Sequence, residues 1–143
     1  MMATGPHILR RSRTMKIHYF SKEDAERIIE TETYLDRQMA FQIGYDTGAR
    51  VGEITKVSAE HFQFGEGFMM LWDSKKKAWK RIPVSEKTLL MAQRYLKATK
   101  ITTRLFQVEP VTLNRWIRER CDRLGIKADP GTPIRWHSWR GTF

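Results

Sequence analysis

The chain has 143 residues, enough for one domain with a sizeable core, and its 41% hydrophobic and 29% charged residues exclude a disordered or fibrous protein. Twenty-six Lys and Arg against 16 Asp and Glu leave a formal charge of +10. That surplus concentrates polyanions, which points to nucleic acid first and an anionic membrane surface second, with a merely solvated surface as the alternative to both. No apolar run approaches the roughly 18 residues that span a bilayer, the longest being Phe68 to Trp72. The single Cys121 excludes an internal disulfide framework and fits a reducing cytoplasm, and with four scattered histidines it makes no metal-ligand spacing, so no metal or cofactor is expected.

Residues 1–20 read as a basic arm, with Arg10, Arg11, Arg13 and Lys16 and no apolar centre of the kind a secretory signal needs. Ser21 followed by Asp24 predicts a capped helix from about 22 to 31. Leu35, Met39 and Ile43 recur every four residues, predicting a second helix with one apolar stripe that ends at Gly48, where the chain turns through Thr47-Gly48-Ala49-Arg50. A short helix from Val51 to Val57 should follow, with Val51, Ile54 and Val57 on one side.

From Phe62 the period changes to two. Phe62 and Phe64 alternate with polar neighbours, Phe68 to Trp72 reads as a strand buried on both faces, and Trp79 to Val84 returns after the polar tip Ser74-Lys75-Lys76-Lys77. The expectation is a three-stranded antiparallel meander whose last strand is an edge, because Pro83 lacks a backbone donor. Leu89, Leu90, Ala92, Tyr95 and Leu96 mark a helix from Ser85 to about Ala98, and another runs from Val111 to Leu124, placing Cys121 inward. A Gly- and Pro-rich loop over 125–135 then delivers Ile134 to Arg140, read as the first turn or two of a helix. The fold class is mainly α with a small antiparallel sheet, α+β, with Trp72, Trp79 and Trp116 in the core.

Three basic features stand apart in the chain: Arg50 after its glycine turn, the lysine cluster at the hairpin tip, and His137-Ser138-Trp139-Arg140. Arginine forks suit a phosphodiester or its pentavalent transition state. On a helix, i, i+3 spacing puts His137 and Arg140 on one face, able to meet one phosphate. These features alone fit a DNA-binding patch as well as a catalyst.

Thr47-Gly48-Ala49-Arg50-Val51-Gly52-Glu53 resembles the first box of the tyrosine recombinases, the phage-integrase family, whose pattern is T-G-x-R with a carboxylate three residues on. His137-Ser138-Trp139-Arg140 resembles the second box, H-x-L-R, with Trp139 in place of Leu. Between them, Ser74-Lys75-Lys76-Lys77 and Arg81-Ile82-Pro83-Val84 resemble the β-hairpin that carries the family's catalytic lysine. The resemblance covers residue 21 to the end and implies that 21–143 is a partial catalytic domain of the DNA breaking-rejoining fold.

It further implies DNA strand cleavage and rejoining, for integration, excision or resolution, by a tyrosine that attacks a backbone phosphate without metal or ATP. Arg50 and Arg140 would stabilise the charge that builds on the nonbridging oxygens, and His137 would bond the same phosphate and assist proton transfer. Lys75, eight residues before Pro83, would protonate the departing 5′-oxygen, although Lys76 or Lys77 could fill that place. Glu53 would orient Arg50 or a neighbour, and Lys76, Lys77, Lys80 and Arg81 would contact DNA. The implied partners are double-stranded DNA and other recombinase subunits, in a tetramer on DNA, with no membrane.

This chain departs from the family pattern in three ways. Tyr19, Tyr34, Tyr45 and Tyr95 all precede the second box, so none matches the nucleophile; Gly141 replaces a second His; and the N-terminal clamp domain has no counterpart. The expectation is a recombinase fragment lacking its nucleophile. A shortened noncatalytic DNA-binding module and a subunit completed in trans are the alternatives.

Overall fold

The computed structural model describes residues 17–140, so the expected basic arm lies mostly outside it, as do Gly141 to Phe143. Helix α1 spans Lys22–Glu30, and its N-terminus is closed by Ser21, whose hydroxyl accepts from the Asp24 amide at 3.0 Å. Helix α2 spans Leu35–Thr47 and runs through the middle of the molecule. It is not striped. Met39, Ala40, Phe41, Gln42, Ile43 and Gly44 are buried in succession, while Leu35 is exposed, because neighbours cover the helix on all sides.

Helix α3 is a single turn, Val51–Ile54, shorter than the predicted Val51 to Val57. The chain leaves the helix early because its backbone pairs elsewhere: Val57 O accepts from Leu105 N, and the Ala59 amide donates to Thr103 O, both at 2.9 Å. A 3₁₀ turn, Ala59–His61, leads into the sheet. Its strands β1 (Phe62–Gln63), β2 (Phe68–Asp73) and β3 (Ala78–Pro83) lie in chain order and pair antiparallel, the expected meander, with β3 at the edge.

Strand β2 buries one face. Met69 and Leu71 are in the core, whereas Phe68, Met70 and Trp72 are half-buried on the other side. The register pairs Trp72 with Trp79, so Trp79 also faces outward, 42% exposed, with its ring edge-on to Trp72 at 5.4 Å. Neither tryptophan is core; Trp116 is. Helix α4 spans Glu86–Thr99 and α5 spans Pro110–Leu124. On α4, Leu89 is buried but Leu90 is exposed, since adjacent helical positions lie about 100° apart. Cys121 is buried on α5, where lost hydration pushes its thiol up to about 12, so it is an inert core residue. No helix of the described residues is long and apolar enough to cross a membrane.

Candidate nucleic-acid interface

Helix α2 ends at Gly48, whose left-handed backbone (φ 68°, ψ 18°) is the conformation that spares glycine a Cβ clash. Its amide closes on Gly44 O at 2.9 Å. Thr47 Oγ1 donates to Ile43 O at 2.7 Å and accepts from Ala49 N at 3.1 Å, so the turn that presents Arg50 is pinned from its first residue. Arg50 is the extended N-cap of α3, and its amide donates to Glu53 Oε1 at 3.0 Å. The other oxygen of Glu53 accepts from the Ser74 hydroxyl at 3.2 Å and the Ser74 amide at 3.4 Å. Glu53, 8% exposed, thus joins the Arg50 turn to the hairpin immediately before Lys75.

The second basic segment forms a 3₁₀ turn, Trp136–Trp139, rather than the expected α-helix. With three residues per turn, positions i and i+3 eclipse, so His137 and Arg140 still share one side. Trp136 and Trp139 point the other way, into the core against Phe41 and Phe20. Gly44 makes room for them. A Cβ there would stand 2.8 Å from Trp139 Cδ1 and 2.9 Å from Trp136 Cζ2. Asn114 Oδ1 accepts from the Trp136 amide at 2.7 Å, tying the segment to α5. Burial first, then the charges of Arg140 and Arg50, hold the His137 imidazole below its ordinary pKa, so it is neutral near pH 7.

On the hairpin, Asp73 Oδ1 accepts from the amides of Lys75 and Lys76 at 3.0 and 3.1 Å, and its other oxygen lies 3.6 Å from Lys80 Nζ. The Lys76 bond chiefly, with those to Lys75 and Lys80, holds the Asp73 carboxyl below the usual range. These elements enclose a cleft of about 230 Å³ lined by Arg50, Glu53, Asp73, Lys75, Lys80 and Arg140 among others. Arg50 also lines a second opening of about 340 Å³, with His137, Arg135, Asn114 and the apolar Ile17, Val51 and Trp136. Lys76 and Lys77 do not line the first cleft. Arg81 lies on the outer face of β3, its guanidinium 3.9 Å above the Phe68 ring.

Arg50 and Arg140 thus share one cleft with the lysine hairpin, Arg50 and His137 share the adjoining opening, and residues 18–143 of the chain match the phage integrase family. The chain belongs to that family. Solved structures with the same fold include XerA recombinase (TM-score 0.75, 19% identity, 90% of this chain and 50% of that one). The integrase of mycobacterium phage Brujita (0.70, 17%, 84% and 40%) and lambda integrase bound to DNA (0.70, 16%, 88% and 49%) superpose similarly. The chain therefore spans about half or less of these recombinases. No curated protein sequence matches it.

Two residues of this phage integrase relative's openings escaped the sequence reading. Arg135 sits two positions before His137, a signal that composition masks in so basic a chain, and Asn114 is recognisable only through its bond across to Trp136. Among the described residues no tyrosine lines either opening. Tyr95 is buried, with its hydroxyl donating to Leu105 O at 2.8 Å, and Tyr19 and Tyr34 are exposed elsewhere. No described cluster of three or more His, Cys, Asp or Glu could hold a metal ion.

Proposed function

We propose that this chain provides the phosphate-gripping half of a DNA strand-transfer site and acts on double-stranded DNA in the metal-independent manner of the tyrosine recombinases, as one subunit of a DNA-bound assembly. The observation that carries the reading is the convergence of Arg50, Arg140 and Lys75 on one cleft from three separate elements, with His137 beside both arginines. Two guanidinium groups presented by anchored turns match two nonbridging oxygens, and their preorganisation would lower the barrier as charge builds in the pentavalent state. Neutral His137 donates a hydrogen bond or relays a proton there.

Lys75 faces the cleft while Lys76 and Lys77 do not, which supports it as the acid for the departing 5′-oxygen. Lys80 also faces the cleft, but its ammonium pairs with Asp73, leaving Lys75 the freer donor. Lys76 and Lys77 would then meet neighbouring phosphates, and Arg81, on the outer face, would contact DNA only beyond the hairpin. Glu53 is a positioning residue between Arg50 and the hairpin. That none of Tyr19, Tyr34, Tyr45 and Tyr95 lines the cleft supports a reacting tyrosine from outside these four.

The rejoining half of the chemistry tests the site without a tyrosine. In a nicked duplex with a 3′-nitrophenyl phosphate facing a free 5′-hydroxyl, the 5′-oxygen bonds to phosphorus, the bond from phosphorus to the phenolic oxygen breaks, nitrophenolate leaves, and Lys75 takes the hydroxyl proton. The chain should accelerate nitrophenolate release, and Arg50→Ala or Arg140→Ala should slow it by about 10²-fold or more. Salt-sensitive binding without any acceleration would overturn the catalytic reading in favour of a DNA-binding module.

A further inference from the structure

Strand β3 carries Lys80 and completes the lysine hairpin, yet it is an edge strand in which only Ile82 is partly covered. Its pairing with β2 fixes its register, but little apolar packing fixes how it leaves the sheet. At that exit stands a carboxylate. Asp46 Oδ2 accepts from the Ser85 amide at 2.8 Å, the Ser85 hydroxyl at 3.0 Å and the Thr88 hydroxyl at 2.6 Å. Thr88 is fully buried, and its oxygen accepts in turn from Gln42 Nε2 at 2.9 Å, so the group is anchored to the interior of α2.

The placement along the chain is symmetrical. Asp46 lies four residues before Arg50 and holds Ser85, two residues after β3; Glu53 lies three residues after Arg50 and holds Ser74, one residue before Lys75. The hairpin from Ser74 to Ser85 is therefore fastened at both ends by serine–carboxylate bonds to the two flanks of the Arg50 turn. We propose that Asp46 is a positioning residue, which with Glu53 sets the offset between the lysine hairpin and Arg50. Its catalytic consequence rests on the strand-transfer reading; its effect on the hairpin does not. A role confined to capping α4 is the competing explanation, since Ser85 is the N-cap of that helix and a carboxylate there favours the helix dipole.

Two measurements on the 143-residue chain separate these. In Asp46→Ala, amide hydrogen exchange should quicken about tenfold in β3 while α5 keeps its protection, because a local fastening has been lost rather than the global fold. Asp46→Asn keeps one acceptor for the Ser85 amide and should fall between; it also serves if the alanine variant does not fold. Unchanged exchange in β3, exchange raised only in the first turn of α4, or an equal rise in α5 would each overturn the proposal. In the nitrophenyl sealing assay, Asp46→Ala should cost about tenfold alone and nothing further in a Lys75→Ala background, as expected of residues acting through one another. Losses that multiply would overturn action through Lys75. Absence of sealing by the unaltered chain would defeat the strand-transfer reading, and the exchange result alone would then decide the role of Asp46.

Discussion

Arg50 and Arg140 reach the same cleft from supports made of different materials. Arg50 sits on a turn tied down by directed polar bonds: Thr47 to Ile43 and Ala49, and Glu53 to the Arg50 amide and Ser74. Arg140 follows a turn held by bulk, with Trp136 and Trp139 seated against Phe41, Phe20 and the bare backbone of Gly44. Directed bonds fix orientation and fail when a partner is removed. A packed socket fixes position and fails when a volume changes. The two supports should therefore respond to different substitutions.

The largest effect belongs to the socket. Trp139 is fully buried with its ring edge-on to Phe20 at 5.0 Å, and Trp139→Ala should cost about 3–5 kcal/mol, most of the stability of a domain near the roughly 5 kcal/mol lower end of the ordinary range. Gly44→Ala fails from the other side, since its methyl would meet two rigid ring edges. Overpacking at about 1–3 kcal/mol should exceed the roughly 1 kcal/mol of helix propensity gained. Combining Gly44→Ala with Trp139→Leu should destabilise less than the sum of the two, because the smaller side chain vacates the space the methyl needs. Urea unfolding of the four proteins measures this. Strict additivity would mean that Gly44 and Trp139 do not share the socket.

A smaller effect belongs to the polar support. Glu53→Gln keeps an acceptor for the Arg50 amide but turns an NH₂ group toward the two donors of Ser74, so it should cost about 1–2 kcal/mol. The loss should be selective for function: binding to a DNA duplex weakens little, while sealing slows because Lys75 and Arg50 lose their common reference. Equal losses in stability and sealing, matched by Glu53→Ala, would make Glu53 a plain structural residue.

How far the sequence carried this contrast depends on the range of the interactions. Ser21, Gly48 and Gly125 mark helix ends through bonds spanning at most four residues, and the structure places caps at all three. The family resemblance was likewise readable, because it rests on residue types at fixed local spacing, and residues 18–143 match the phage integrase family. Trp139 in the second box read as a mere departure from leucine. Its compensation, Gly44, lies 95 positions away on α2, and nothing local announces it. The face of a strand was equally hidden, since Trp72 and Trp79 are core by composition and outward by register. The early end of α3 depends on residues 103–105, which pair with 57–59 only after the chain has folded back.

The smallest effect lies where the two supports meet. His137 stands on the packed side but senses both arginines, and burial together with their charges lowers its pKa. The unfolded chain holds this proton near the ordinary 6.5, more tightly than the folded one. Below the folded pKa the proton therefore opposes folding; stability rises with pH across the window up to 6.5, and the penalty is absent above it. A DNA phosphate seated between Arg50 and Arg140 reverses the sign, because its negative charge favours the imidazolium and raises the pKa. Binding to a duplex should then take up protons and strengthen as the pH falls toward and below 6.5. His137→Gln should flatten that dependence while leaving its salt slope intact. Following the His137 ring signals through a pH titration with and without duplex reads the shift directly, and an unchanged midpoint would place the phosphate away from the junction of the two supports.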